Sequence, residues 1–522
     1  MVVWKKMTFT RTEESPFANS EVLAEDYIPE KVLGRDTELD EISEVFQQMV
    51  DNEQPVNAFI YGISGTGKTV SVKFKQQQLE SALEQYDDVH ATFIYQNCES
   101  LSSSYQAAIA IANDFLKAPR YEFLHRQLEI DRETLPSSGL PKERVYDIVF
   151  EILDRLTYRN TIYRQQIITQ YGDSTREEIE NKIGIEIPEH LDGDQVAASL
   201  IDDMGYSFSA AESDQILDFF HQNYDIQPPS EVTDYVTVIL DEVDRIGTRD
   251  ELLYEIPRCR NTGRVENILP SVIGISNDIG YKESIQSKTD SSLRLKEITF
   301  KKYNASQLRE ILSQRAQKAF NEGMIDEEAI PLAAAFARKQ GGDARYGIDL
   351  LQKAGMKAKK DDDGVVTPAH VRAAHEEKER DRVYEVTDDL SDQEKLVLAS
   401  IMYHDLRDET PISRSDLYPT YKRFSGTLLD NSNVPRRVAD YLKEMSQLGL
   451  IERQDAYKGP GESGFKYELE KVEYNMIFQI LGNTSPTSAT ADNLLPAELV
   501  DTFDQHASES GEGFQSGIES WE

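Results

Sequence analysis

In the first 300 residues, short apolar runs alternate with amphipathic stretches, and that alternation predicts the architecture. Residues 56–61, 91–96, 236–240 and 269–275 are runs of five to seven mainly apolar positions, short enough to be buried strands. Residues 38–50 carry apolar positions at helical spacing, and a Gly-rich turn after the first strand leads into a second helical stretch over 68–84. Strands alternating with helices predict a three-layer α/β domain with a parallel sheet.

Further on, the rhythm changes. Between 158 and 232 the pattern weakens to two helical stretches, 177–183 and 195–204, ended by Pro228-Pro229-Ser230. This reads as an insertion between core elements. From 300 to 384 the pattern is helical, broken at Gly341-Gly342 and by a charged loop over 359–364. Residues 390–478 read as three helices and a hairpin, the order of a winged helix-turn-helix. Beyond Asn483 there are acids but no Lys or Arg, and many Ser, Thr, Gly and Ala. That composition predicts a disordered acidic tail over 483–522.

Composition refines the picture at three points. Across 522 residues, 56 Lys and Arg stand against 94 Asp and Glu, a net charge of −38. On average such a chain repels nucleic acid. Yet 39% of it is apolar, too much for a disordered acidic chain, and the acids are spread along the whole length. Surface carboxylate also keeps proteins soluble in concentrated salt, where the Debye length falls to ~3 Å at 1 M. The acidity is therefore read as salt adaptation, and local charge must identify the partner. No run approaches the ~18 apolar residues of a membrane span, and the opening Met1-Val-Val-Trp-Lys-Lys-Met lacks an apolar signal region, so a cytoplasmic protein with no membrane partner is expected. Two cysteines, Cys98 and Cys259, exclude a disulfide scaffold and a thiolate zinc cluster. His370 and His375, five apart, fall on different helix faces and make a poor metal pair.

The candidate chemistry starts at Gly62-Ile-Ser-Gly65-Thr66-Gly67-Lys68-Thr69, a full G-x-x-x-x-G-K-[ST] match between strand and helix. Its glycines let backbone N–H groups approach phosphates, and the following helix adds its positive end. Lys68 is expected at the β/γ-phosphates and Thr69 at Mg²⁺; Val70 continues the cradle into the helix. Later the apolar strand over 236–240 ends in Asp241-Glu242-Val-Asp244. Asp241 is expected to hold metal-bound water and Glu242 to polarise the attacking water; Asp244 reads as structural. The next strand ends at Asn277, a polar side chain able to help position that water.

Phosphate loop, Asp241-Glu242 and Asn277 in this order resemble an AAA+ ATPase. Gly341-Gly342-Asp343-Ala344-Arg345 resembles the lid-helix sensor of such proteins, which implies that Arg345 touches the γ-phosphate. Leu23-Ala-Glu-Asp-Tyr27-Ile-Pro29-Glu-Lys-Val-Leu-Gly-Arg35 is similar to the adenine-side segment of the archaeal replication initiators, relatives of the eukaryotic origin recognition complex and its helicase-loading factor. Ser291-Ser-Leu-Arg-Leu-Lys-Glu-Ile-Thr-Phe300 is similar to their junction from base to lid. The resemblance implies an AAA+ P-loop ATPase base with a parallel sheet, an α-helical lid and a C-terminal winged helix. The corresponding division is an extension over 1–22, a base over 23–297, a lid over 298–386, a winged helix over 387–482 and the tail. It also implies ATP/ADP and Mg²⁺ as cofactors, Tyr27 and Arg35 at the nucleotide, slow switch-like ATPase activity, double-stranded origin DNA as partner, helicase recruitment, self-association on DNA and a place in the nucleoid. The family's Arg before Ser-Ser-Leu is missing here, which leaves Lys288 or Arg294 as the trans-acting group.

Residues 410–471 hold ten Lys and Arg and nine Asp and Glu, a balance of +1. That makes the winged helix a natural candidate for phosphate contact. Its second helix is expected over 415–424 and its recognition helix over 434–449, with Pro435 in the first turn. Arg436 and Arg437 then lie at the groove-entering end, Lys443 further along, and Ser432 as a helix cap near phosphate. Lys458 and Lys466 would sit on the wing. Two alternatives stay open: a regulatory ATPase whose winged helix binds protein, and a divergent initiator paralogue serving a plasmid or secondary origin.

Overall fold

A computed structural model describes residues 15–118, 121, 124–125, 128, 130, 134–158, 161–162, 232–247, 251–278, 280–281, 295–361, 364–429, 431–457, 463–470, 472–482 and 495–510. The expected insertion, apart from its ends, and Lys288, Arg294 and Lys458 lie outside these residues. The chain divides into two compact units, Met1–Val371 and Arg372–Glu522.

The first unit is built on five strands: β1 (Ala58–Tyr61), β2 (Val89–Asn97), β3 (Thr233–Asp241), β4 (Leu269–Ser276) and β5 (Lys296–Thr299). They form one parallel sheet in the order β2-β3-β4-β1-β5. The strand period of two sorts β3 onto both faces. Val236, Val238 and Leu240 join the core under α3 (Ser104–Lys117) and α4 (Lys142–Asp154), with Ile111, Phe115, Val149 and Ile152. Tyr235 and Ile239 join the opposite layer under α1 (Asp36–Val50) and α2 (Lys68–Leu83), with Ile42, Phe46, Val72 and Leu79. Each such fully buried side chain contributes roughly 1.5–3 kcal/mol. Thr237, also buried, is satisfied by the Ser271 hydroxyl at 2.8 Å. Edge strand β5 was not anticipated: only Ile298 of its four residues is buried, so no apolar run announces it.

Three helices follow: α5 (Ala305–Ala319), α6 (Ala329–Lys339) and α7 (Ala344–Lys360). A reciprocal capping box between Asn304 and Gln307 starts α5. Described residues of the expected N-terminal extension are packed onto this lid. Phe17 stacks on Phe320 with centroids 5.0 Å apart, and the Ala18 and Asn19 amides donate to the Ala319 carbonyl at 2.9 and 3.1 Å. Arg315 of α5, buried, donates to the Val22 carbonyl at 2.9 Å and the Tyr27 carbonyl at 3.2 Å. A sequence-distant helix supplies these partners, so local pattern could not reveal them.

The division between units falls inside α8 (Pro368–Asp388). The second unit continues with α9 (Asp392–Asp405), β6 (Ile412–Ser413), α10 (Arg414–Leu428), α11 (Pro435–Leu448), β7 (Ile451–Tyr457), β8 (Ser463–Leu469) and α12 (Tyr474–Gly482). The strands pair antiparallel in the order β6-β8-β7. Leu396, Leu417, Tyr421, Val438, Leu442, Ile451 and Ile477 form their common core.

The expectation of a wholly disordered tail is corrected at α13 (Ala497–Ser510). Leu499 is fully buried in the winged-helix core, and Phe503 stacks on Phe478 with centroids 4.6 Å apart. Glu498 pairs with Arg423 of α10 at 2.9 Å. Leu499 and Phe503, four residues apart, share one helix face and find a ready-made apolar surface. Composition averaged over the tail conceals that stripe.

Candidate functional site

The phosphate loop leaves the C-terminal end of β1, and Asp241 and Asn277 stand at the C-terminal ends of β3 and β4. Ligands of open α/β sheets bind outside these strand ends. Two glycines make the loop possible. Gly65 (φ +70°) leaves no room for a Cβ against the Asp343 carboxylate, and at Gly67 (φ +85°) a Cβ would lie 2.6 Å from the Tyr303 hydroxyl. Asp343 caps α7, accepting the Tyr346 amide at 3.1 Å, and the Ala344 amide donates to the Gly65 carbonyl at 3.0 Å. The lid helix is thereby fastened to the cradle at its N-terminal end.

Lys68 opens α2 and is buried. Its ammonium donates to the Gly62 and Ile63 carbonyls at 2.7 and 2.9 Å and to Asn277 Oδ1 at 2.7 Å. Asn277 Nδ2 donates to Glu242 Oε1 at 3.0 Å. One amide therefore joins the cationic and carboxylate sides of the site. Asp244 holds that amide's backbone: its Oδ1 accepts the Ser276 hydroxyl at 2.8 Å and the Asn277 N–H at 3.1 Å. Glu242 has φ +52°, a left-handed conformation costly for a side chain of this size and met mostly at functional sites.

Asp241 is ringed by donors. Its Oδ2 accepts the Thr69 hydroxyl at 2.6 Å and the Tyr95 hydroxyl at 2.7 Å, and its Oδ1 accepts the Glu242 amide at 2.9 Å. Tyr95 escaped the sequence reading; a half-buried Tyr in strand β2 carries no motif. Burial pushes the Lys68 ammonium down to about 8, against the attraction of Asp241 and Glu242. Burial first, then the neighbouring Glu99 charge, raises Glu242. Cys98, buried beside this cluster, is pushed up to about 12 by burial and is inert, as a small core thiol should be.

Three other expected residues lie differently. Arg35 is buried and spent on the protein: it donates to the Thr66 carbonyl at 2.9 Å and the Lys301 carbonyl at 2.6 Å, pairs with Glu38 at 2.9 Å, and lies over the Tyr303 ring at 3.8 Å. Through the Thr66 carbonyl it braces the phosphate loop. Tyr27 lies under the Arg315 guanidinium at 4.5 Å. Arg345, in the first turn of α7, is half-exposed and pairs with Glu25 at 2.8 Å, while its charge still reaches Lys68. Thr66 is buried in the loop, and Val70 follows Thr69 in α2.

The donor set fits a nucleotide with a hard divalent ion. Backbone amides and an ammonium suit phosphate, and a hydroxyl with a carboxylate beside them suits Mg²⁺, which keeps its other sites for phosphate oxygens and water. Among the described residues, no group of three or more His, Cys, Asp or Glu could hold a metal unaided.

In the second unit, α11 presents Arg436, Arg437 and Lys443 outward, all exposed. Arg437 lies over the Tyr441 ring at 4.7 Å. The helix is capped by Val434 with no side-chain hydrogen bond, so Ser432 is not its cap; Ser432 is half-buried in the preceding turn. The Asn433 backbone there is held instead by Tyr421 and Tyr418 at 2.9 and 3.2 Å. Lys466 is half-buried in β8, opposite Gln454. On the same hairpin Arg453 stacks on Phe465 at 3.4 Å.

Three family models match the chain: an AAA ATPase domain over residues 31–246, a Cdc6 AAA+ ATPase-type lid domain over 309–376, and a CDC6 C-terminal winged helix domain over 385–478. ORC1-type DNA replication protein 11 of Haloarcula marismortui is 30% identical over 469 residues, spanning 90% of this chain and 91% of the relative. The chain belongs to the ORC1-type DNA replication protein family. An ORC1-type relative from Thermococcus kodakarensis is 29% identical over 85% of each chain. Among solved structures, the Aeropyrum pernix ORC1 protein in complex with DNA matches with a TM-score of 0.60 and 27% identity, covering 90% of this chain and 97% of that one. The ORC1-type family thus carries the expected AAA+ base, helical lid and winged helix, and an AAA ATPase domain is a nucleotide-binding module. A salt-adapted origin agrees with the relatives from Haloarcula and Halobacterium. No helix among the described residues is long and apolar enough to cross a membrane.

Proposed function

We propose that this chain is an ATP-binding replication initiator that holds double-stranded origin DNA through its winged helix and uses slow hydrolysis as a switch. The observation that carries this reading is the relay Lys68–Asn277–Glu242 at the mouth of a phosphate cradle, in a chain whose second unit is a winged helix. The cradle amides and Lys68 bind the phosphates, and Arg345 adds charge from the lid. A Mg²⁺ ion held by Thr69 and Asp241 would neutralise phosphate charge. Glu242, raised by burial, orients water and takes its proton, while Asn277 fixes the carboxylate. Arg436 and Arg437 reach base edges or phosphate from the start of α11, supported by Lys443, Lys458 and Lys466. Recruitment of the replicative helicase, self-association on DNA and residence at the nucleoid belong to the same reading. The protein-binding and paralogue alternatives are not favoured by the relatives.

Replacing Glu242 tests the catalytic half. Glu242→Gln keeps the shape of the side chain and removes its charge, so ATP turnover should fall by about 10²–10⁴-fold, the usual contribution of a general base. Nucleotide affinity should hold. Unchanged turnover would refute the role given to Glu242.

A further inference from the structure

We propose that Tyr95 is a positioning residue for the metal corner of the nucleotide site: its hydroxyl fixes the Asp241 carboxylate and so sets the site's affinity for the divalent ion, not for the nucleotide. The inference rests on the nucleotide reading above and concerns one corner of it. Tyr95 is on β2 and Asp241 ends β3, with Asn97, two residues further along β2, in register with Asp241. A tyrosine is long enough to span that diagonal. Its hydroxyl donates to Asp241 Oδ2 at 2.7 Å, the oxygen that also accepts the Thr69 hydroxyl at 2.6 Å. With the Glu242 amide on Oδ1, three donors from three directions leave the carboxylate one orientation.

The ring is itself held. Lys73 of α2 places its ammonium 4.0 Å from the Tyr95 centroid, and Phe93 of the same strand packs in the layer beneath α1. Tyr95 donates in this bond, since an ionised carboxylate can only accept. A hydrogen bond from a held phenol to a metal-binding carboxylate does two things. It prevents rotation away from the Thr69 hydroxyl, and it removes the entropy cost of ordering the carboxylate when the ion arrives. Partners of this kind characteristically change metal affinity by 10–100-fold when removed. The Lys68 ammonium is held by other partners, the Gly62 and Ile63 carbonyls and Asn277, while the Tyr95 hydroxyl donates to Asp241.

Tyr95→Phe in the full chain is the test, because it keeps the ring and its contact with Lys73. Binding of a fluorescent ADP analogue is titrated with Mg²⁺ and, separately, measured in excess chelator. The expected result is a Mg²⁺ half-saturation point raised on the order of tenfold, with metal-free nucleotide affinity unchanged. An unmoved half-saturation point would overturn the inference, and so would an equal loss of affinity with and without metal, which reports a general distortion. If the unaltered chain bound no nucleotide, the broader reading would fail instead, so the two failures are distinguishable. Tyr95→Trp, which keeps a ring and loses the hydroxyl's placement, should behave as the Phe variant does; normal Mg²⁺ dependence there would also overturn the assignment.

Discussion

Lys68 shows how a single residue carries opposing demands. The loop needs its charge for phosphate, yet burial pushes the ammonium down to about 8. Below that pH the free protein already holds the proton. Above it, a bound polyphosphate draws a proton back onto Lys68, so binding is coupled to proton uptake. Nucleotide affinity should therefore weaken as pH rises from 7.5 to 9.5, by at most about tenfold per pH unit. Titrations in a series of buffers of equal ionic strength would measure it. A flat profile would mean that Lys68 keeps its charge throughout and that burial is offset by its carboxylate neighbours. The same residue was readable in advance because its motif is contiguous: every requirement for phosphate binding lies within eight positions. Arg35 was not, since its acceptors are the carbonyls of Thr66 and Lys301, one of them 266 positions away. Tyr95 and Ser432 fall on the same side of that line. Their surroundings, rather than their neighbours in sequence, decide what they do.

At the scale of elements, apolar run length predicted the central strands because both faces of a parallel sheet are covered. It failed at β5, an edge strand with one buried residue, and at α13, where a two-residue stripe suffices because another core is already there. Leu499 is the fully buried side chain in the docking of α13 among the described residues. Leu499→Ala removes a fully buried side chain, at a cost of about 2–5 kcal/mol. At the lower bound, amide exchange within α13 should speed up by roughly thirtyfold, while the central sheet keeps its protection. Exchange mass spectrometry resolves the two regions. Unchanged protection in α13 would show that its docking does not depend on that contact. The lid strap teaches the same lesson: Phe17 and Phe320 meet across 303 positions of chain, and no local period predicts such a pair.

For the whole molecule, charge is the least decisive guide. The winged-helix region has a balance of +1, but residues 301–361 of the lid carry 12 Lys and Arg against 8 Asp and Glu, a balance of +4. Local charge alone would have favoured the lid as the phosphate-facing surface. The winged helix is singled out by geometry, because α11 buries one face in the core and exposes the other, with two arginines in its first turn. Both regions stand out against a chain of −38. In concentrated salt the average charge is screened within a few ångströms, roughly 3 Å at 1 M, and short-range contacts decide.

The most direct measurement maps the DNA crosslinked to this chain in cells, at their natural salt, alongside an Arg436→Ala, Arg437→Ala double variant that still binds nucleotide. Sharp occupancy at replication start sites, lost in the double variant, is the predicted result. A diffuse map, or peaks the double variant retains, would contradict origin binding through the winged helix.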